Sequence, residues 1–246
     1  MPKIIYPPLK SQHDSSNLYE IGIDEAGRGP LFGRLYVAAV VLPKDDSFLH
    51  KDIKDSKKIH SRKKITELSE YIRNHAAAYH VQYIEHTTID TINIRQSVFQ
   101  GMHECVRNCI QQLESRIEDG SDVSDKSYTQ KYMLLVDGND FKPYVQFDDS
   151  TNTLVSIPHQ TFEGGDNTYI AIAAASILAK SARDQYIEDL CLKYPELSSR
   201  YGLEKNMGYG TKQHLTGILE HGITQWHRRT YGRCKEAEYC PLDETA

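Results

Sequence analysis

Tryptophan occurs once in this chain and cysteine five times, at 105, 109, 191, 234 and 240, with no C-x-x-C pair. An odd count without paired spacing argues against a disulfide framework and against a cysteine zinc site. Cys105 and Cys109 lie four apart beside Met102 and Leu113 and read as buried core residues. Long apolar runs are also missing. The longest, Tyr169 to Ala179, is alanine-rich, broken by Ser176 and eleven residues long, short of the roughly 20 that a bilayer crossing needs. The opening residues, MPKIIYPPLKSQ, have neither the apolar core nor the small-residue cleavage site of a secretory signal, so an intracellular, cytoplasmic protein is expected. No dinucleotide fingerprint is present, because Gly27-Arg28-Gly29 is next followed by Gly33, and no P-loop lysine follows.

What is present is a chain of 246 residues, 39% hydrophobic and 26% charged, long enough to bury a sizeable core. Its net charge of -5 argues mildly against a nucleic-acid partner, but the charges are segregated. Seven basic residues lie between Lys51 and Lys64 against two aspartates, and six between Lys205 and Lys235 against Glu220 alone. Such segregation permits a cationic groove on an acidic protein, although a charge run alone is more often a solvated face.

The apolar patterning alternates between strands and helices. LYEIGID and LYVAAVVL read as strands, the second apolar enough to lie in a sheet covered on both faces. Ile65, Leu68 and Ile72 have helical spacing, with Ser61 as the cap, and YHVQYIE alternates like a strand. Ile94, Val98, Met102, Cys105, Cys109, Leu113 and Ile117 form one stripe of a longer helix. The polar tract EDGSDVSDKSYTQ, 118–130, reads as a surface loop. YMLLVDG and TLVSIP are further strands, and an alanine-rich helix runs from about Thr168 to Lys193, followed by a helix near Thr211 to Glu220. The pattern predicts an α/β domain with a mixed sheet and a small, largely helical C-terminal piece from about residue 192.

Asp24-Glu25, Asp137 and Asp166 each follow a hydrophobic strand, at a glycine-containing loop. Ligand sites in α/β sheets form beyond strand ends, so these acids can meet there. Their repulsion would be relieved by a divalent cation, and an oxygen-only donor set favours Mg²⁺ or Mn²⁺. Two such ions suit phosphodiester hydrolysis. Taken singly, each acid is better explained as a turn former or cap; it is the set of four, with the glycines, that tips the balance toward a site. The glycines of Gly27-Arg28-Gly29 let peptide groups approach a ligand closely, as recognition of a ribose 2′-hydroxyl would require, while Arg28 suits a phosphate. A tight turn between two strands accounts for them equally.

Seven segments in order, GIDEAGRGPLFG (22–33), DSKKI (55–59), VDGN (136–139), GGD (164–166), IAAASILAKSARD (172–184), GYGTKQH (208–214) and HGITQWHRRTY (221–231), resemble the motif series of the type 2 ribonuclease H family. The resemblance covers nearly the whole chain. It implies a ribonuclease H-like mixed sheet flanked by helices, with a catalytic domain over 1–191 and a helical C-terminal extension over 192–246 that completes the substrate groove. It also implies endonucleolytic cleavage of RNA-DNA hybrids and incision 5′ of ribonucleotides embedded in duplex DNA, leaving 3′-hydroxyl and 5′-phosphate ends. Carried over by motif, Asp24, Glu25, Asp137 and Asp166 bind Mg²⁺ or Mn²⁺. Gly27, Arg28 and Gly29 read the 2′-hydroxyl, and Tyr209 senses the junction. Lys57, Lys58, Lys180 and Arg183 contact phosphates, against the plainer reading of surface salt bridges such as one to Asp184. His214 and His227 are candidates for the proton donor, a task that bound water also fits.

The sequence departs from the family pattern at Arg34, Ser181 and Met207; Met207 removes a positive charge beside Tyr209, which implies weaker affinity for the junction. The tail CKEAEYCPLDETA has no glutamine-plus-paired-aromatic clamp motif, and a monomer without accessory subunits is expected. Two other readings stay open: a silent hybrid-binding protein, and a broader metal-dependent nuclease or phosphatase on the same fold.

Overall fold

Every residue of β2 (Leu35–Val41) is buried, because the strand is packed on both faces. Leu35, Val37, Ala39 and Val41 point into one core, while Tyr36, Ala38 and Val40 point into a second on the opposite face, the two-residue alternation of a strand. Burying each such aliphatic side chain contributes about 1.5–3 kcal/mol. The computed structural model that reveals this describes residues 8–45, 47–49, 53, 56, 59, 61–117, 123, 126–149 and 151–243.

The first face is covered by α3 (Ile94–Glu114), whose buried residues include Val98, Met102, Cys105, Cys109 and Leu113. This is the expected stripe, ending before Ile117. The second face is covered by α1 (Arg62–His75), capped as expected by Ser61 accepting from the Lys64 amide, and by α5 (Ile170–Lys193). The first ten residues of α5 are buried all round, as a helix apolar on every side must be. It lies so close to the sheet that a Cβ on Gly22 would stand 2.3 Å from the Ala171 carbonyl carbon.

The sheet has five strands in the order β3-β2-β1-β4-β7, with β1 at Tyr19–Ala26, β3 at Ala78–Ile84, β4 at Tyr132–Asp137 and β7 at His159–Phe162. β1, β2 and β3 are antiparallel neighbours; β1, β4 and β7 run parallel. The mixed sheet is therefore as expected, but the strand that leads to Asp166 is a different one. TLVSIP supplies β6 (Thr153–Ser156), which pairs only with β5 (Val145–Asp148) in a separate ribbon. The sheet's fifth strand is the short polar HQTF, which carries no period-two apolar signal.

Ahead of α5, two helices were not legible in the pattern, α2 (His86–Ile92) and the single turn α4 (Tyr128–Lys131); beyond it, two short ones were not read individually. The turn α4 begins inside the tract expected to be a loop and runs one residue past it, with Ser127 and Gln130 forming a reciprocal capping box; most of the remaining tract is outside the described residues. Beyond α5 come α6 (Glu196–Tyr201), α7 (Leu203–Asn206) and α8 (Lys212–His221). Their core contains Tyr201, Leu203 and Ile218, together with Phe32 from the glycine loop and Ile187 of α5. The C-terminal piece thus shares its core with the segments that border the acids.

Candidate active site

β1 keeps its register to its last residues, with Asp24 opposite Ala38, Glu25 opposite Val37 and Ala26 opposite Tyr36. On the other side Ile23 pairs with Val136, so Asp24 and Asp137 occupy the next positions of two adjacent parallel strands. Asp24 is buried, and its Oδ1 accepts from the Glu25 amide at 2.7 Å. Burial, and after it the charges of Glu25 and Asp137, hold the Asp24 carboxyl well above the usual carboxylate range. Asp137 Oδ1 accepts from the Gly165 amide at 2.7 Å, tying β4 to the one-turn 3-10 helix Gly165–Asn167 that carries Asp166. Asp166 is buried, and its Oδ1 accepts from Asn167 Nδ2 at 2.8 Å. The structure thus brings Asp24, Glu25 and Asp137 into electrostatic contact and links Asp166 to Asp137 through one amide.

Among the described residues, no three acidic, histidine or cysteine side chains stand close enough together to ligate one ion as they are. The chemistry of the donor set nevertheless fits a hard divalent cation. It offers only carboxylate oxygens, and a bound cation would neutralise the repulsion that raises Asp24.

Asp24, Glu25, Gly27, Arg28, Gly29, Ser176, Lys180, Arg183 and Tyr209 all line one cleft of about 400 Å³. Gly27 has φ +101°, and a Cβ there would lie 2.4 Å from Arg183 Nε. Arg28 reaches back to Glu25 Oε1 at 3.3 Å. Arg228, fully buried, donates to the carbonyls of Gly27 (2.7 Å), Arg28 (3.0 Å) and Gly33 (2.9 Å). In a trans peptide the carbonyl and the following amide point opposite ways. The N–H groups of Arg28 and Gly29 are therefore turned away from Arg228. The Tyr209 ring is half exposed, with Cε1 3.6 Å from where a Gly29 Cβ would stand. Asp24 and Glu25, the glycine loop and an aromatic ring thus border a single opening, whose lining includes neither Asp137 nor Asp166.

Across residues 21–234 the chain matches the family model described as ribonuclease HII. The chain belongs to the ribonuclease HII family. Ribonuclease HII of Parabacteroides distasonis is 42% identical over 212 residues, 86% of this chain and 89% of that one. The Archaeoglobus fulgidus RNase HII, solved in a complex with PCNA, is 25% identical with TM-score 0.60 and covers 87% of this chain and 96% of its own. Bst-RNase HIII, solved with Mn²⁺, has TM-score 0.58 at 18% identity, covering 90% of this chain and 70% of its own, a likeness of fold. As a ribonuclease HII-family protein the chain is a metal-dependent hydrolase, an endoribonuclease of RNA-DNA hybrids. None of its described helices is long and apolar enough to cross a membrane.

The basic residues expected at phosphates fall into different settings. Lys57 and Lys58 lie outside the described residues. Lys180 lines the cleft and pairs with Asp184 at 2.8 Å, the salt bridge anticipated as its plainer role. Arg183 is not presented to solvent as a phosphate contact would be. It is buried, donates to the Met207 carbonyl at 2.8 Å, and stands beneath Gly27 and beside the Tyr209 ring. Met207 itself adopts a left-handed φ of +50°, and Arg34 pairs with Glu85 while stacking on Tyr83 and Tyr186.

His214 and His227 are both fully buried, which removes them as proton donors to a leaving group in the cleft. They are joined at 3.1 Å through their Nε2 atoms. The Thr224 amide donates to His227 Nδ1, so His227 carries its proton on Nε2 and donates to His214, which donates through Nδ1 to the Tyr209 carbonyl. This chain requires both rings to be neutral. Burial, with His214 next to it, holds His227 well below its ordinary value.

Sequence reasoning had not singled out Arg228, although it lies within a quoted motif, nor Ser56 and Ser176. Those hydroxyls meet at 2.9 Å against the cleft that Asp24 also lines. A serine on a buried helix face and an arginine in a basic run have ordinary explanations, so no local signal marked them.

Proposed function

We propose that this chain incises duplex DNA on the 5′ side of embedded ribonucleotides as well as cutting RNA-DNA hybrids, with Asp24, Glu25, Asp137 and Asp166 holding Mg²⁺ or Mn²⁺. One observation carries the reading: Tyr209 stands against Gly29 in the same cleft as Asp24 and Glu25. A 2′-hydroxyl entering between ring and loop would meet the amide N–H groups of Arg28 and Gly29. A deoxyribose offers them nothing, and unpaired polar groups discriminate strongly.

Arg28 neutralises a neighbouring phosphate, balanced in the free protein by Glu25. Lys180 supplies a second cation, and Arg183 acts from below by fixing the Gly27 loop against the Met207 carbonyl. The burial of Asp24 and Asp166 excludes bulk water around the reacting phosphate. When bound, divalent ions there supply water activation and charge neutralisation for two-metal hydrolysis, which leaves 3′-hydroxyl and 5′-phosphate ends. Residues 192–246 complete the groove, since their core includes Phe32 of the glycine loop. The chain works as a monomer in the cytoplasm of a cell like those of its bacterial relatives, and its tail makes no sliding-clamp contact. Light scattering checks the monomer, and co-elution with a clamp checks the tail.

The test is cleavage of a DNA duplex carrying one ribonucleotide, beside all-DNA and full-hybrid controls, in Mg²⁺ and in Mn²⁺. Incision at the single ribonucleotide, with all-DNA uncut, is expected. Equal cutting of all-DNA overturns the reading of the glycine loop.

A further inference from the structure

The family match begins at residue 21, yet residues 8–18 are ordered against two segments that carry acids. The Lys10 amide donates to the Thr168 carbonyl at 2.8 Å, and the Lys10 carbonyl accepts from the Ile170 amide at 3.0 Å. Ile170 is the first residue of α5, whose cap residue Tyr169 makes no side-chain hydrogen bond to the helix. Lys10 therefore satisfies one of the amides that a helix start leaves open. His13 Nδ1 meets the Tyr169 hydroxyl at 3.0 Å, and its ring stands edge-on to both Tyr169 and Phe162. The same arm is hooked to β1, where Glu20 accepts from the amides of His13 and Asp14, each at 2.8 Å, and from Asn17 Nδ2 at 2.9 Å.

These anchor points flank the acids. Phe162 ends β7, and its carbonyl accepts from the Gly138 amide next to Asp137. Between Phe162 and Tyr169 lies the turn of Asp166, and Glu20 sits four residues before Asp24 on the same strand. The arm thus ties the Asp24 strand to both ends of the Asp166 turn.

We propose that the N-terminal arm, through Lys10 and His13, is a positioning element that holds the Asp166 turn in register with β1 and β4 and thereby sets the affinity for the divalent cation. The proposal rests on the reading of Asp166 as a ligand. Groups that orient metal ligands without touching the ion typically change affinity by about 10–100-fold.

The experiment uses the full chain carrying Lys10→Pro, which removes the amide donor, together with His13→Phe, which keeps a ring but removes its nitrogen. Calorimetric titration with Mn²⁺ is run beside hybrid cleavage at low and saturating Mn²⁺. The double variant is expected to bind Mn²⁺ about tenfold more weakly, with kcat recovering at saturation and KM for the hybrid within about twofold. His13→Gln alone, which keeps a partner for the Tyr169 hydroxyl, is expected to bind as wild type. Mn²⁺ affinity unchanged in the double variant, even with a lowered melting temperature, overturns the proposal and leaves the arm a stabilising strap. Asp166→Asn in the intact chain separates the two failures. If it abolishes Mn²⁺ binding while the arm variants are silent, only the arm proposal falls; if it binds Mn²⁺ normally, the reading of the acids falls with it.

Discussion

Asp24, Glu25 and Asp137 are carried by neighbouring strands whose register runs undisturbed to their last residues. Gly27 to Gly29, a few residues further along, owe their shape to Arg228, which lies 201 positions from the Gly27 carbonyl it holds. On one side of the cleft the scaffold is backbone pairing, and the side chains inherit their positions from it. On the other, a single buried guanidinium turns two peptide planes, and a neutral histidine pair anchors the Tyr209 carbonyl opposite them. The acids should therefore tolerate substitution structurally while losing chemistry, and the loop should lose structure and discrimination together.

The largest effect is expected at the acids. Asp24→Asn should lower kcat on a hybrid by more than the roughly 100-fold typical of groups that only support a metal ligand. Its melting temperature should be no lower than wild type, since a buried charge repelled by Glu25 and Asp137 is removed. Near-normal cleavage would break the comparison at its catalytic end.

At Arg228 the order should reverse. Arg228→Met leaves the buried Gly27 and Gly33 carbonyls without that donor, while Tyr231 still serves the Arg28 carbonyl, a loss of about 3 kcal/mol, or about 6–12 °C in melting temperature for a domain of this size. Cleavage at a single ribonucleotide should fall more than cleavage of a full hybrid. A variant as stable as wild type would show that the loop holds its shape unaided.

The glycines sharpen the contrast within the loop. Gly27→Ala forces a side chain into φ +101° and against Arg183, at a cost of about 1–3 kcal/mol. Gly29→Ala meets Tyr209 only at an ordinary contact distance, so denaturation should change by less than about 0.5 kcal/mol. The added methyl occupies the space proposed for the 2′-hydroxyl, and single-ribonucleotide incision should drop on the order of tenfold. Equal activity of the two variants would remove Tyr209 and Gly29 as a sensing pair.

The smallest effect is a dependence on pH. The folded protein holds His214 and His227 neutral below the ordinary value of 6.5, whereas the unfolded chain protonates them there. Their contribution is thus fully present above about pH 6.5 and lost as the pH falls below it. Urea denaturation at about pH 7.5 and 5.5 should show a larger loss for wild type than for a His214→Asn, His227→Gln double variant. Equal losses would mean that the pair is not the source.

Much of this was open to inspection in the residues. The Ser61 cap, the stripe of α3, the two-faced burial of β2 and the close approach of α5 follow from spacing and side-chain size, local properties that survive folding. The motif series likewise named the four acids, of which Asp24 and Glu25 line the cleft. The strand before Asp166 was misassigned because HQTF is short and polar at a sheet edge, while TLVSI has the better β pattern and spends it on a two-stranded ribbon. The burial of Arg183 was hidden for a related reason: a cation on a helix looks exposed unless one knows that Gly27 and Met207 close over it.

The linear order of residues determined the family, the chemistry of the donor groups and the elements that deliver them, because composition, periodicity and motif spacing are written along the chain. The tertiary structure alone decided that Arg228 shapes the glycine loop, that two histidines became a buried brace rather than acids, and that Lys10 caps the helix beside Asp166. Those outcomes depend on contacts between segments far apart in the chain, where burial and hydrogen-bond geometry, and not residue type, assign the role.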